Sequence, residues 1–262
     1  MSLFTTVNPD DLALNAKEGR GAWSKKGIDF DNRYMLSPKD DQRIGTRAHV
    51  SLDHWAVAAG SYAIQKRLSK LGILAPVSLS EVGIFGPRTK LAVQGFQASN
   101  HDPLDNAPLV VDGIVGRADA RSLFVPLILQ TEVAHGIPRG LLLGQTMHES
   151  WLDPGCVGYY IYYPEYRGVD RGLSQINSRF NPQVTWAQAY DPGFSFNWAA
   201  MRLRDYCTKY TKAYPTRSAS ILWDAALCAH NNPWAAGQWA KNGVAPTEQS
   251  AKYVAAVKAA IF

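Results

Sequence analysis

The stretch GIFGPRTKLAVQGFQ, residues 83–97, decides the fold of the first half of this chain. Its glycines suit a tight turn that needs positive φ, and Pro87 suits the first turn of a helix. The apolar side of that helix is formed by Leu91, Ala92, Val93 and Phe96. A weaker copy, VDGIVGRADARSLF, follows at residues 111–124. Because each copy has a G-I-x-G turn that opens a helix, the sequence predicts two half-units that pack into one three-helix domain.

A predicted helix precedes this repeat, with Ile64, Leu68 and Leu71 on one face and Gly72 as its C-terminal stop. Taken in order, IQKRLSKLG, GIFGPRTKLAVQGFQ and VDGIVG resemble the type 1 peptidoglycan-binding module. The pattern of that family runs QxxLxxLG, DGxFGxxTxxAVxxFQ and DGxxG. The resemblance implies a peptidoglycan-binding domain, which we expect to occupy residues 51–124; a three-helix structural spacer is the alternative.

The chain departs from the family pattern at two places. Val82 stands where the family has its first Asp, and Ala118-Asp119 stands where a Pro and a Thr usually begin the second helix. We therefore expect the second half-unit to be less regular than the first.

The composition is that of a folded protein with a basic surface. A length of 262 residues is enough for two small domains. The formal net charge of +5 favours a polyanionic partner. No run of Lys and Arg marks a nucleic-acid arm, so the bacterial wall is the better candidate. Residues 1–50, rich in Asp, Lys, Arg and Gly, are expected to form an extended arm of unknown role.

Cysteine use and apolar patterning exclude several classes of protein. The three scattered cysteines, without a CxxC pair, argue against a disulfide framework and a zinc knuckle. Cys207 and Cys228 would pair only if two helices brought them together, and free buried thiols are favoured. The start of the chain lacks a basic segment followed by an apolar stretch, so we expect no ordinary secretory signal. No window approaches the roughly 18 apolar residues that span a membrane.

Residues 125–262 are expected to form an α-rich domain. Apolar positions recur with helical period in Leu127–His135, Gly140–His148, Trp198–Tyr210, Ala219–His230 and Glu248–Ile261. The breakers between these segments are Asp191-Pro192-Gly193, Asn232-Pro233 and Asn242-Gly243. The predicted fold class is therefore mainly α, with a three-helix binding domain ahead of an α-rich domain.

The segment GQTMHESWLDPG, residues 144–155, contains the candidate general acid, Glu149. This residue falls at the end of a predicted helix, and Trp151 and Leu152 follow it. A carboxylic acid among apolar groups is disfavoured in its charged form, so we expect the pKa of Glu149 to be raised. A general acid needs this in order to carry a proton near neutral pH.

Two further segments have polar side chains suited to sugar binding. RGLSQINSRF, residues 171–180, alternates polar and apolar side chains, which predicts a short edge strand that presents amides and backbone groups to sugar hydroxyls. Its Gly172 would let backbone approach a ligand. ALCAHNNP, residues 226–233, ends a helix of small residues, which predicts one imidazole and two carboxamides at a helix terminus facing a cleft.

In this order, the three segments resemble the lytic transglycosylase and goose-type lysozyme superfamily. Its motifs are ES followed by a Pro, then GLMQI[N/D], then AYNxG. They appear here as Glu149-Ser150 with Pro154, as GLSQIN at 172–177 and as AHNNP at 229–233. The resemblance implies that Glu149 is the catalytic acid and base. It implies substrate binding by Ser150, Ser174, Gln175, Ile176, Asn177, His230 and Asn231.

The chain differs from that superfamily at two motif positions. Ser174 stands where Met is commoner, and His230 stands where the family usually has Tyr. The second departure matters more. Where the family has a Tyr hydroxyl that would orient Glu149, this chain has an imidazole.

A tyrosine-rich segment, GYYIYYPEYRGVD at residues 158–170, lies between the first two motifs. Its five tyrosines either line a glycan groove, since aromatic faces stack on sugar rings, or close over the core. Asp170 and Glu165 are the other carboxylates of this stretch. Because an Asp in this region of goose-type lysozymes can position water, Asp170 is the candidate second carboxylate.

The sequence lacks the residue patterns that other classes of lytic enzyme need. A zinc-dependent amidase or endopeptidase needs clustered His and carboxylate ligands. No recognised ligand spacing occurs among His49, His54, His101, His135, His148 and His230. A Cys-His peptidase would use Cys156 or Cys228, but neither begins a helix after a Gly-rich turn.

These observations predict a peptidoglycan-degrading enzyme that cleaves the β-1,4 bond between N-acetylmuramic acid and N-acetylglucosamine, without metal or cofactor. A lytic transglycosylase is favoured. The alternatives are a hydrolytic muramidase in which Asp170 activates water and a non-catalytic wall-binding protein. We expect a monomer that binds bacterial peptidoglycan, binds no nucleic acid and does not insert stably into a membrane.

The expected setting follows from the missing signal peptide. A phage endolysin is synthesised in the host cytoplasm and acts on the cell wall after release, which fits a wall-binding module joined to a lytic domain. A virion-associated lysin and a bacterial autolysin exported by another route are the alternatives.

Overall fold

The computed structural model describes residues 59–159 and 169–260, most of which are helical. The helices are α1 (residues 59–70), α2 (Pro87–Ala98), α3 (Arg117–His135), α4 (Leu141–Ser150), α5 (Trp186–Tyr190), α6 (Pro192–Ala213), α7 (Ala219–Asn231), α8 (Pro233–Asn242) and α9 (Glu248–Ala259). A 3-10 turn covers Leu79–Glu81, and two strands, β1 (Val157–Tyr159) and β2 (Val169–Arg171), form one antiparallel pair. The prediction of a mainly α fold is confirmed. The predicted N-terminal arm and most of the tyrosine-rich segment, with Glu165, lie outside the described residues.

The chain divides into two compact units. Of the described residues, the first unit comprises 59–125 together with 150–159 and 169–195, and the second comprises 126–149 together with 196–260. The described residues between 150 and 195, which the sequence assigned to the C-terminal domain, thus belong to the first unit. The domain limits of 51–124 and 125–262 stay predictions. None of the described helices is long and apolar enough to cross a membrane.

A buried glutamine holds the first G-I-x-G turn in the first unit. The Gln65 side chain on α1 accepts a hydrogen bond from the Gly83 N–H at 2.9 Å and donates to the Ile84 carbonyl at 2.9 Å. It also donates to the Thr89 hydroxyl in the first turn of α2, at 3.1 Å. Gly83 has a φ of +76°, a conformation that glycine adopts without strain. Because Gln65 is fully buried, it satisfies the polar groups of the turn without water.

The second turn is held in the same way by Gln97, at the end of α2. Its side chain accepts from the Gly113 N–H at 2.8 Å and donates to the Ile114 carbonyl at 2.9 Å. Asp119 takes the place of the threonine of the first half-unit, because it accepts from Gln97 at 3.1 Å and from the Gly116 N–H at 2.7 Å. Burial raises the pKa of Asp119. The irregularity expected of the second half-unit is not seen in these bonds.

One predicted core residue of α2 is exposed. The helix buries Thr89, Ala92, Val93 and Phe96, which are spaced i, i+3, i+4 and i+7 and share one face. Leu91 falls outside this stripe and is 70% exposed. The prediction that Leu91 belongs to the apolar side was therefore wrong.

The segment Ser150–Ser195 completes the first unit. Strand β1 pairs with β2 so that Val157 lies opposite Arg171. Thr185 begins α5 with a reciprocal cap, accepting from the Gln188 N–H while the Gln188 side chain accepts from the Thr185 N–H. Lys66 on α1 pairs with Asp191 at 2.8 Å, which ties this segment to the three-helix repeat.

In the second unit, α7 packs against α8 and α9. Its small residues Ala225, Ala226 and Ala229 are buried, which lets neighbouring helices approach closely. Each of the three helices begins at a side chain that accepts a hydrogen bond from a backbone N–H. These caps are Ser218, Asn232 and Thr247.

Two predicted breakers are helix starts. Pro192 begins α6, ahead of the predicted start at Trp198, and Pro233 begins α8, which the sequence analysis left out. Proline suits the first turn of a helix because the N–H that it lacks would have no partner there. Asn232 caps α8 by accepting from the Ala235 N–H at 3.0 Å.

A buried glutamate fixes the start of α4. The Glu132 carboxylate accepts from the Gly140 N–H at 2.7 Å and from the Leu143 N–H at 3.0 Å. Backbone donors at a helix start have no partner within the helix, so a carboxylate there supplies the missing acceptors. Burial raises the pKa of Glu132 although these bonds stabilise its charge. Since α4 carries Glu149, Glu132 sets the position of the candidate general acid.

We expect Gln97→Leu to lower the free energy of unfolding of the full chain by about 2–4 kcal/mol, because it leaves the Gly113 N–H and the Ile114 carbonyl buried without partners. Denaturant titration followed by circular dichroism measures the change. Gln94→Leu, at a partly exposed position of the same helix, is the matched control and should change this free energy by less than about 0.5 kcal/mol. Equal losses in the two variants would contradict the role of Gln97.

Glu132→Gln should lower the free energy of unfolding by about 2–3 kcal/mol, because a carboxylate oxygen becomes an amide N–H that faces backbone N–H donors. Thermal unfolding at neutral pH checks this. The control is Glu248→Gln, at an exposed side chain in the first turn of α9, which should cost less than about 1 kcal/mol. The role of Glu132 at the start of α4 is contradicted if Glu132→Gln unfolds at the same temperature as the wild type and the control.

Candidate functional site

The residues predicted to form the site divide between the two units. Glu149, His230 and Asn231 belong to the second unit, whereas Ser150, Asp170 and residues 174–177 belong to the first.

The Glu149 carboxylate lies among polar groups of the second unit. Its side chain is 14% exposed, and its Oε1 accepts a hydrogen bond from the Tyr253 hydroxyl at 2.7 Å. The Nε2 atom of His230 lies 3.4 Å from the same oxygen. The His148 ring packs edge-on against the Tyr253 ring, with 5.1 Å between centroids. Side chains from α4, α7 and α9 therefore meet at this carboxylate.

Tyr253 is a site residue that the sequence analysis missed. Burial raises the pKa of its hydroxyl well above the usual value, and the charge of Glu149 raises it further. The phenol therefore stays protonated and remains a hydrogen-bond donor. It supplies to Glu149 the orienting hydroxyl that is absent at His230. The two residues are 104 positions apart, and nothing in the local pattern of α9 connects Tyr253 with Glu149.

Gln145 is buried on the same helix as the candidate acid. It lies one helical turn before Glu149 on α4 and is 3% exposed. Among the described residues, its Oε1 atom has no hydrogen-bond partner.

The two residues expected to shield Glu149 belong to the first unit. Trp151 is 41% exposed and Leu152 is buried. Both have left-handed backbone conformations, with φ values of +54° and +63°, which cost about 1–3 kcal/mol each for such side chains. The chain therefore turns sharply after α4. Within the second unit, the described contacts of the Glu149 carboxylate are polar ones, with His230 and Tyr253.

The edge strand predicted at residues 172–177 is wrong. Strand β2 ends at Arg171, and turns follow. Gly172 and Gln175 have φ values of +69° and +48°, which an extended strand does not contain. A Cβ on Gly172 would lie 2.4 Å from the Ala189 carbonyl oxygen. The glycine thus lets the chain pack closely against its own backbone.

The polar side chains of this turn form hydrogen bonds within the first unit. The Ser174 hydroxyl donates to the Ser195 carbonyl at 3.1 Å, and Gln175 donates to the Gly172 carbonyl at 2.8 Å. The Ser150 hydroxyl donates to the Leu173 carbonyl at 2.8 Å. Ser150, Ser174, Gln175 and Ile176 are buried. Substrate contact by these residues stays a prediction.

Arg171 holds the same turn in place and was not predicted. Its buried guanidinium donates to the carbonyls of Ile176 at 3.1 Å and Val184 at 3.0 Å, and it lies over the Trp186 ring at 5.1 Å. Burial lowers the pKa of Arg171. A guanidinium presents its donors in a rigid fork, so one side chain can fix several carbonyls of the loop.

Asp170 and Asn177 contact each other in the first unit. The Asn177 amide donates to Asp170 Oδ1 at 2.8 Å. Asn177 Oδ1 also accepts from the Arg179 N–H at 3.0 Å. The role of Asp170 as a second carboxylate stays a prediction.

The remaining candidates are placed as follows. Asn231 is exposed at the C-terminal end of α7. Cys156, Cys207 and Cys228 are buried and form no disulfide bond, and burial raises the pKa of Cys207 and Cys228. Within residues 59–159 and 169–260, no group of His, Cys, Asp and Glu side chains is arranged to hold a metal ion.

Comparison with known protein families finds one match. Residues 59–121 match the family model described as a putative peptidoglycan binding domain. Neither the curated proteins nor the solved structures gave a match, and no catalytic family is identified. The match covers the three-helix repeat held by Gln65 and Gln97. It supports an association of this chain with the cell wall, with peptidoglycan as the partner.

Proposed function

We propose that this chain degrades peptidoglycan by cleaving the β-1,4 bond between N-acetylmuramic acid and N-acetylglucosamine, with Glu149 as general acid and base. The observation that carries the proposal is that a hydrogen bond fixes the orientation of the Glu149 carboxylate. Glu149 is mostly withdrawn from solvent, and one of its oxygens accepts from the Tyr253 hydroxyl beside His230. The match to a peptidoglycan-binding family and the motif order of Glu149-Ser150, 172–177 and 229–233 support the same substrate.

The proposed cleavage begins with a proton transfer. Protonated Glu149 gives its proton to the glycosidic oxygen, and the bond from that oxygen to the anomeric carbon breaks as positive charge grows on the carbon. The carboxylate that remains is stabilised by the hydrogen bond from Tyr253. Because the phenol stays protonated, this donor is present before and after the transfer.

The product depends on which group bonds to the anomeric carbon after the cleavage. In a lytic transglycosylase, Glu149 takes the proton of the muramic acid 6-hydroxyl, whose oxygen bonds to the anomeric carbon and forms a 1,6-anhydro ring. In a muramidase, a second carboxylate activates water. We favour the transglycosylase, because Glu149 with its two neighbours suffices for both proton transfers. The candidate for this second carboxylate is Asp170, whose Oδ1 accepts a hydrogen bond from the Asn177 amide.

We propose that the wall-binding domain keeps the lytic part of the chain close to its substrate. A domain that stays on the wall keeps the next glycan strand at high effective concentration. We propose that the protein acts as a phage endolysin, synthesised in the host cytoplasm and active on the wall after release. This setting rests on the sequence patterns alone.

Glu149→Gln should abolish lysis of purified cell walls, with a fall in rate of at least about 100-fold, because the amide cannot donate an acidic proton. Turbidity of a wall suspension measures lysis, and sedimentation with the walls measures binding, which should be retained. Glu248→Gln is the control and should lyse walls at the wild-type rate. Undiminished lysis by Glu149→Gln would exclude Glu149 as the acid; a wild-type chain that binds walls without lysing them is a wall-binding protein.

The products of digestion distinguish the two acceptors. For a transglycosylase, mass spectrometry of the released muropeptides should show ends lighter by one water than those made by hydrolysis. Asp170→Asn should then leave the rate within about threefold of wild type, since the reaction needs no water-activating carboxylate. Hydrated ends, together with a fall of about 100-fold or more in Asp170→Asn, would instead establish the muramidase.

A further inference from the structure

One face of α6 consists of charged and aromatic side chains that are spaced for a single surface. This outer stripe comprises Trp198, Arg202, Asp205, Lys209 and Lys212, at positions i, i+4, i+7, i+11 and i+14 of the helix. The opposite face is buried and contains Ala199, Leu203, Cys207 and Tyr210. The four charged residues of the outer stripe are exposed. The stripe is about 21 Å long, because an α-helix rises by about 1.5 Å per residue.

The excess of positive charge among the described residues lies in the second unit. That unit has nine Arg and Lys against five Asp and Glu, whereas the first unit has nine against eight. In the second unit, Lys252 pairs with Glu248 and Lys258 pairs with Asp224. No ion pair joins a cation of the outer stripe to Asp205 or to another carboxylate within the part of the chain that the structure describes. With three cations and one carboxylate, the outer stripe has a net charge of +2.

Aromatic rings order the cations of the outer stripe. The Arg202 Cζ atom lies 5.7 Å from the Trp198 ring centroid and 5.2 Å from the Tyr206 ring centroid. Arg202 also donates a hydrogen bond to the Tyr206 hydroxyl at 3.2 Å. Lys209 Nζ lies 5.8 Å from the Tyr210 ring centroid. Because these contacts restrict the long side chains beforehand, the side chains lose less conformational entropy when they bind a partner.

The chemistry of the outer stripe fits carboxylates. A guanidinium has five N–H donors in a planar fork, of which Arg202 uses one on Tyr206, and this fork matches the two oxygens of a carboxylate. Peptidoglycan is the partner that the family match supports. Its sugars are neutral, and its stem peptides carry free carboxylates that recur along each glycan strand. A stripe with three cations can therefore contact more than one of these groups.

We infer that the outer stripe of α6 is a second peptidoglycan-binding surface, on which Arg202, Lys209 and Lys212 bind carboxylates of the stem peptides. This surface belongs to the second unit and is separate from the three-helix repeat that matches the peptidoglycan-binding family. Two contacts in one chain raise the affinity for the wall, because the second contact forms at high effective concentration. The proposed binding requires peptidoglycan as the partner and does not depend on which residue is the general acid.

The triple variant Arg202→Gln, Lys209→Gln, Lys212→Gln tests this surface in the full chain. We expect its Kd for purified walls to rise about tenfold at about 50 mM salt, since three exposed charge contacts are lost. The difference from the wild type should vanish at about 500 mM salt, where exposed charges are screened. Sedimentation with the walls on ice, where lysis is slow, measures binding. Glutamine has a helix propensity similar to that of Arg and Lys, so circular dichroism should show an intact fold.

A second triple variant, Arg139→Gln, Lys241→Gln, Lys252→Gln, is the matched control. It removes the same charge from exposed positions of the second unit outside the outer stripe. Its Kd should stay within about twofold of the wild-type value, because isolated exposed charges contribute little to binding. Equal weakening by the two triple variants would show that only net charge matters and would overturn the proposed surface.

Walls from which an amidase has removed the stem peptides identify the bound anion. On these stripped walls, the wild type and the outer-stripe variant should bind equally well. A tenfold difference that persists on stripped walls would exclude stem-peptide carboxylates as the ligand. A difference that occurs with vesicles of anionic phospholipid and not with intact walls would assign the outer stripe to a membrane surface instead. Because all of these measurements report binding, failure of the wild type to cleave glycan would leave them unaffected.

Discussion

The hydrogen bonds between the Glu132 carboxylate and the first amides of α4 are the interaction on which the candidate site depends. A helix that begins inside a protein leaves backbone donors without partners. Hydrogen bonds to a charged group contribute about 1.5–3 kcal/mol each, which offsets much of the cost of burying the carboxylate. With its start held in this way, α4 presents Gln145 and then Glu149 on one face.

The first unit also contains backbone groups that need hydrogen-bond partners, and there glutamine side chains supply them. Each G-I-x-G turn contains a backbone N–H and a carbonyl that need hydrogen-bond partners inside the small three-helix domain, where water does not supply them. Gln65 and Gln97 satisfy both groups at once, because an amide side chain has a donor and an acceptor side by side. Asp119 shows that the scheme tolerates a change of residue, since a carboxylate accepts the same amide hydrogen that a hydroxyl accepts in the first half.

At Glu149 a hydrogen bond fixes a side chain. A carboxylate that accepts from Tyr253 on one oxygen keeps its orientation, as the proposed general acid requires. Tyr253 suits this task because burial keeps its hydroxyl protonated, so the donor does not change when the carboxylate gains or loses its proton. His230 and Tyr253 come from different helices, which means that packing of α7 and α9 sets the geometry of the acid.

The sequence by itself determined the features that depend on local spacing. These are the mainly α class, the repeated turns and the choice of Glu149 as candidate acid, since apolar period, glycine turns and short motifs are readable along the chain. Only the tertiary structure decided the surroundings of that acid. Glu149, His230 and Tyr253 come together through helix packing, and Glu149 and Tyr253, 104 positions apart, leave no local signal of their contact. The turn at 172–177 likewise depends on left-handed backbone at Gly172 and Gln175 and on the buried Arg171, so its alternating pattern resembled a strand while long-range hydrogen bonds made it a loop.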